Sequence, residues 1–261
     1  MPTTTPPVAV PLPTTTPHRG LYRSATLRQL DRLDTAGVEA YSTTRGLVDG
    51  WLPENRREPG GPFPLSEKTA GLSERTVWPG VVAESTAEAA TVGTPLDAVE
   101  AEALAALEAR EPVVAARRLV ASLDQLGATT ETARDAAAAL VRVADEATRE
   151  TGREAVIVTT VETLHRIDDE FTLTANAGRL YTLGGSIVVT VGELPDGVTG
   201  YVTGPLTVFR TEITVSSTTA PDTNRHVAVA ERTVAPAVEQ VMHGGQWHPA
   251  IKVTEGGGAS V

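Results

Sequence analysis

The chain has 261 residues, a formal net charge of −11, and a composition that is 41% hydrophobic but only 4% aromatic. That length allows one large domain or two small ones, with a core built mostly of Ala, Val and Leu. The acidic balance argues against a nucleic-acid binder held by phosphate contacts, the lack of cysteine excludes disulfides, thiolate zinc sites and cysteine nucleophiles, and no apolar run reaches the roughly 18 residues of a membrane span.

The N-terminus lacks the basic-then-apolar layout of a signal peptide, so synthesis in the cytoplasm is expected. Residues 1–17 read MPTTTPPVAVPLPTTTP, with PTTTP at both Pro2–Pro6 and Pro13–Pro17. Such a segment has few donors and little apolar bulk, so it is expected to be extended or disordered. Two readings stay open: a loose tail, or an arm that orders only against a neighbouring chain. Residues 1–30 carry Arg19, Arg23 and Arg28 and no acid. In SATLRQLDRLD (Ser24–Asp34), Leu27, Leu30 and Leu33 recur at helical spacing, which predicts a short helix capped by Ser24.

From Val48 to Ala83 the pattern is broken by prolines and glycines, yet the stretch holds Trp51, Phe63 and Trp78. Strand pieces are expected around Phe63–Leu65 and Arg75–Val82. So long a loop is unusual inside a compact domain. It is either a meander packed on its own domain or a projecting hairpin whose aromatics bury against another subunit, since large apolar groups on a protruding loop need a partner surface.

Helices are expected next. TPLDAVEAEALAALEAR (Thr94–Arg110) opens with Thr94 as N-cap and Pro95 at the first helical position, and shows a stripe of Leu96, Val99, Ala103 and Leu107 widened by Leu104. Pro112 ends or kinks this helix, and helical character resumes to a stop at Gly127. A third helix is expected over Glu131–Arg149, capped by Thr129 or Thr130 and stopped near Gly152, with Ala133, Ala137, Leu140, Val141 and Ala144 on one face. Glu154–Thr160 then reads as a buried strand and VETLHRI as a short helix, which together suggest a small α/β layer. The last hundred residues are β-rich, with strands expected at Ile187–Val191, Tyr201–Val202, Leu206–Arg210, Ile213–Val215, Val227–Glu231 and Ala250–Val253. Glu193–Gly200 is a turn-rich loop.

No catalytic, cofactor-binding or metal-ligating set emerges. HGGQWH spaces His243 and His248 five apart, without the third ligand that a metal needs. Its Gly-Gly-Gln matches the tripeptide of peptide-release factors, but those need a basic body. Gly184-Gly185 in LGGS leads into the β-branched run Ile187–Val191 rather than into a helix N-terminus, so it reads as a turn and not a phosphate loop. Asp168, Asp169 and Glu170 in RIDDEF offer carboxylates for a divalent cation, or simply a solvated helix exit. Ser186 lacks a nucleophile-elbow context.

The order of parts is more telling than any motif. GRLYTLGGSIVVTVG (Gly178–Gly192), GYVTGPLTVFRTEI (Gly200–Ile213), TNRHVAVAERTVAPAVEQ (Thr223–Gln240) and, before them, AVIVTTVETLHRI (Ala155–Ile167) resemble the major capsid proteins of tailed, and especially actinobacterial, bacteriophages. These have the Hong Kong 97-type fold, an α+β architecture. The resemblance covers roughly residues 95–253 in order and is architectural before that. It implies an N-terminal arm over 1–35, an extended E-loop region over 36–93, a spine helix and P-domain over 94–127, a mainly A-domain stretch over 128–222, and a P-domain return with C-terminal tail over 223–261.

The implied function is a major capsid protein that self-assembles into an icosahedral shell around double-stranded DNA. It is not an enzyme, needs no cofactor, and is located in the virion after assembly in the host cytoplasm. Implied partners are copies of itself in hexamers and pentamers, the packaged DNA, and portal, scaffold and decoration proteins, with no membrane. Trp51, Phe63 and Trp78 become candidate inter-subunit anchors. Arg19, Arg23 and Arg28 either face the lumen and meet phosphates or pair with acids on neighbours. Some relatives join subunits by Lys–Asn isopeptide bonds, for which Lys68 in the loop and Asn224 are candidates. The alternatives are an encapsulin-like compartment holding a cargo protein, another virion component such as a head-decoration or tail-tube subunit, and, most distant, an enzyme of unknown class.

Overall fold

The computed structural model describes residues 20–33, 35–40 and 76–256. Its axis is one long helix, α2 (Leu96–Gln125), of 30 residues and so about 45 Å. The buried side chains Val99, Ala103, Leu107, Glu111, Ala115, Leu119 and Leu123 recur every four residues and form one stripe along it. Pro95 caps the helix from an extended conformation, one residue later than the sequence suggests. Pro112 neither ends nor divides it. A proline costs the helix one hydrogen bond, to the carbonyl of Glu108, while the buried stripe on both sides of it holds the two halves to the same layers.

A five-stranded sheet flanks the helix. β1 (Thr26–Gln29), β11 (Leu206–Arg210), β13 (Arg225–Val238) and β12 (Thr214–Ala220) follow in order, with β4 (Val81–Ala90) on the other edge of β13. The first half of α2 packs on β4 and β13 through Val99, Ala103 and Leu107 against Ala83, Ala87, Ala228 and Ala230. β13 has fourteen residues, against the five expected. Alanines on both surfaces let helix and sheet approach closely.

The second sheet has seven strands in the order β5 (Thr129–Ala133), β16 (Ile251–Glu255), β10 (Val198–Thr203), β6 (Val156–Thr160), β9 (Ile187–Val191), β8 (Arg179–Tyr181) and β7 (Thr174–Asn176). Helices α3 (Ala136–Thr151) and α4 (Val161–Phe171) cover one face, with Leu140, Ala144 and Ile167 packing on Ile157, Val202 and Ile251. On the other face Val156, Val158, Val189 and Tyr201 meet Leu119 and Leu123 from the second half of α2, in a cluster that also takes in Val208 and Val234 of the first sheet. One helix therefore serves both sheets. The alternation within β6, Val156 and Val158 one way and Ile157 the other, splits its side chains between the two cores.

One expected helix, and the start of another, give way to strands. Of the stretch read as helical, Ser24 ends a one-turn helix, α1 (Leu21–Ser24), and Thr26–Gln29 form β1, which pairs in parallel with β11 from Thr26↔Thr207 to Gln29↔Arg210. Three leucines are too few to sustain a helix, and the edge of β11 satisfies the same backbone groups. Likewise Thr129–Ala133 is a strand, in parallel pairing with β16. α3 starts only at Ala136, where the Asp135 carboxylate accepts from the Ala138 amide at 3.1 Å, and it stops at Gly152 with φ 67°. Ile187–Val191 and Leu206–Arg210 are strands with the expected bounds.

Candidate functional site

With no motif for catalysis, the candidate site is the set of joints that hold the extensions to the body. The first is the foot of the long loop. β2 (Val38–Ala40) pairs antiparallel with β3 (Thr76–Trp78), matching Val38 to Trp78 and Ala40 to Thr76. The chain leaves at Ala40 and returns beside it at Thr76. Gly37, at φ +89°, lets the strands meet, since a Cβ there would lie 1.9 Å from the Trp78 carbonyl oxygen. Arg118 of α2 fastens the foot by donating its Nε hydrogen to the Pro79 carbonyl at 3.1 Å.

Trp78, expected as an anchor on a neighbouring subunit, is 1% exposed in the core of its own chain. The expectation fails because this residue stands at the base of the loop and not on its outer part, so its own core takes the indole. Trp51, Phe63, Lys68 and the expected strand Phe63–Leu65 lie outside the described residues, as does Arg19.

The second joint ties the segment before β1 to α2. Glu111 on α2 is 2% exposed. Its carboxylate accepts from the Tyr22 hydroxyl at 2.6 Å and from Arg232 Nη1 at 3.1 and 3.3 Å, with Arg210 Nη1 at 3.8 Å. Burial, and then the adjacent Glu111 charge, pushes the Tyr22 phenol well above its ordinary range. Tyr22 belongs to α1, Arg210 to β11 and Arg232 to β13, so one carboxylate joins three elements. These groups line a cavity. Both oxygens of the carboxylate are occupied by donors, and burial disfavours the ionised phenol.

The third joint fixes the seven-stranded sheet to the end of α2. Lys252 Nζ of β16 donates to Asp124 at 2.6 Å, and the fully buried Tyr201 donates its hydroxyl to the same oxygen at 3.4 Å. The Lys252 hydrogen bond holds the Asp124 carboxyl below its ordinary value, and burial raises the Tyr201 phenol.

The glycine pair proves to be a turn, with a specific docking role. Thr182 and Ser186, on either side of it, donate their hydroxyls to Asp145 of α3 at 2.6 and 2.8 Å. Gly184 lies against that carboxylate, where a Cβ would come within 2.2 Å of Asp145 Cγ. HGGQWH is a hairpin of β14 (Val241–His243) and β15 (Gln246–His248) turning on Gly244 and Gly245, both at positive φ. His243 Nε2 lies 3.3 Å from Glu131, which also pairs with Arg142, and His248 Nδ1 lies 2.8 Å from Thr129 Oγ1. No group of three or more metal-ligating side chains is found among the described residues. Asp168 accepts from the Leu173 amide at 3.1 Å and closes the exit of α4, the role a helix-exit reading assigns it.

Of the arm arginines, Arg23 lines the cavity and its carbonyl accepts from Arg179 Nε at 2.9 Å, while Arg28 is exposed on β1. The Glu111 joint was not anticipated. Its one linear signal is a glutamate in the apolar stripe, midway between Leu107 and Ala115. Nothing local marks Asp124, Tyr201 and Lys252, which are brought together by strand order alone. Among the described residues no helix is long and apolar enough to cross a membrane.

No family model matches the chain, and no curated protein does. Solved structures do. The chain is similar to the capsid protein of the cyanophage P-SCSP1u, with TM-score 0.52 and 12% identity over 99% of this chain and 93% of that one. It is similar to the capsid protein of the native GTA particle, with TM-score 0.55 and 12% identity over 98% and 95%. It is similar also to the SrpI encapsulin of Synechococcus elongatus, with TM-score 0.57 and 9% identity over 96% and 92%. The chain has the Hong Kong 97-type capsid fold in its α+β form, as its order of parts implies.

Proposed function

We propose that this chain is the major capsid protein of a tailed bacteriophage, a structural and non-enzymatic subunit that assembles with copies of itself into an icosahedral shell around double-stranded DNA. The observation that carries this reading is the end-to-end likeness to capsid subunits, over 98–99% of the chain. In this assignment α2 is the spine and, with the five-stranded sheet, forms the P-domain. The seven-stranded sheet with α3 and α4 is the A-domain. The E-loop comprises β2, β3 and residues 41–75 between them, and the N-terminal arm precedes β1. A foot bolted to the spine lets such a loop transmit load to its own subunit while its outer part, with Trp51 and Phe63 as anchors, lies across a neighbour.

The test is electron microscopy of the protein expressed alone and of a variant lacking residues Pro62–Arg75. The full chain is expected to form closed shells and the variant to form none. A protein that stays monomeric in every assembly condition overturns the reading. The encapsulin-like alternative is favoured by the SrpI likeness. It differs in content: genome-length double-stranded DNA in particles from infected or induced cells supports the capsid, and a packaged protein supports the compartment.

A further inference from the structure

Gly20 stands on the wall of a cavity of about 590 Å³ bounded by α1, the middle of α2 and the start of the loop after β9. Its polar end is closed by the Glu111 joint, whose charges already have partners. The rest of the wall is open and largely apolar, with Arg23 and Arg117 also on it. Leu27 is 39% and Val113 49% exposed, both on this cavity. Glu108 and Glu193 also line it. Exposed apolar groups gathered around a concavity mark a place that something covers.

The chain upstream of Gly20 therefore joins the body at the cavity wall. Among residues 1–19 the only apolar stretch is Val8-Ala9-Val10-Pro11-Leu12, set between the two PTTTP units. Leu12 lies eight residues before Gly20. At about 3.1 Å per residue in a proline-rich chain this is a reach of roughly 25 Å, enough to turn back onto any wall of the cavity. A tether this short makes the effective concentration high, of millimolar order, so modest apolar contact suffices.

We propose that Val8–Leu12 of the same chain seats in this cavity against Leu27 and Val113, so that the N-terminal arm is its own subunit's ligand. The site does not depend on shell formation, since every group named belongs to one chain.

The absence of native cysteine makes the test clean. Leu12→Cys and Val113→Cys are introduced together in the full chain, and unassembled subunits are oxidised mildly and run on non-reducing gels with mass spectrometry. An intrachain disulfide is expected in most chains, at least fivefold more than for Thr4→Cys with Val113→Cys. Disulfide-linked dimers would assign the cavity to an arm from another copy and overturn the proposal. No linkage, or equal linkage from position 4, would overturn it as well. A second readout is binding of a labelled peptide spanning Pro6–Pro13. It is expected to bind a chain lacking residues 2–17 saturably, and the full chain at least tenfold more weakly. Equal binding to both, or none to either, refutes the seating.

Discussion

Removal of the Glu111 carboxylate is the most informative single perturbation of the body. In Glu111→Ala, Arg232, whose side chain is 13% exposed, loses its partner, and the half-buried Tyr22 loses the acceptor of its hydroxyl. Stripping one member from a buried ion pair costs about 3–5 kcal/mol, because the remaining charge stays desolvated. Arg210 is 30% exposed and can turn to water, and a small residue leaves room for solvent, so the low end applies: about 3 kcal/mol. For a chain of this size that corresponds to a fall in Tm of about 6–12 °C. The assay is urea and thermal unfolding of unassembled subunits, with hydrogen exchange on Leu21–Gln29 to show that arm and strand loosen first. Tyr22→Phe should cost only about 1–2 kcal/mol, since the guanidiniums keep their carboxylate. Glu111→Leu with Arg232→Met should recover most of the loss, as an apolar pair removes both buried charges. A loss below about 0.5 kcal/mol in Glu111→Ala, or a double variant no better than the single one, would refute the account of this joint as a desolvated ion pair.

The Asp124–Lys252 joint predicts a pH dependence. The Asp124 carboxyl is held below its ordinary value of 3.8, so the stability it adds is full above that value and is lost as pH falls through the lower folded value. Lys252→Met should cost less than about 1 kcal/mol at pH 7 because both side chains are partly exposed, and the difference from the parent should shrink in denaturant titrations below pH 4; a constant difference would contradict the assignment. Gly184→Ala should destabilise by about 1–3 kcal/mol, because the new methyl meets an Asp145 carboxylate pinned by two hydroxyls; a neutral result in thermal unfolding would mean that the turn lifts off α3 without loss. Pro112→Ala should raise stability by about 1–3 kcal/mol, through the hydrogen bond returned to the Glu108 carbonyl. An unchanged unfolding midpoint would show that the ring's packing on the cavity wall offsets that bond.

What was legible in the residues alone was what depends on neighbours along the chain. The apolar stripe of α2, the strand and helix at Val156–Phe171, the strand bounds at Ile187–Val191 and Leu206–Arg210, and the turn at Gly184-Gly185 all rest on periodicity or turn chemistry. The order of these parts was enough to imply the fold. Where tertiary pairing competes with local preference, the linear signal failed: leucines at helical spacing became β1 once β11 offered an edge, and threonines expected to cap a helix became β5 beside β16. The joints lay further still from any local signal. Glu111 meets Tyr22 across 89 residues and Arg232 across 121, and Asp124 meets Lys252 across 128. Trp78 could be read as an aromatic in a long loop, but whether it faced a neighbour or its own core depended on where the hairpin's foot fell. The sequence by itself determined most of the elements and their succession, because backbone propensity and side-chain period act over a few residues. The tertiary structure alone decided which charges are buried and which aromatics are already used, because desolvation and packing are set by what the rest of the chain brings alongside.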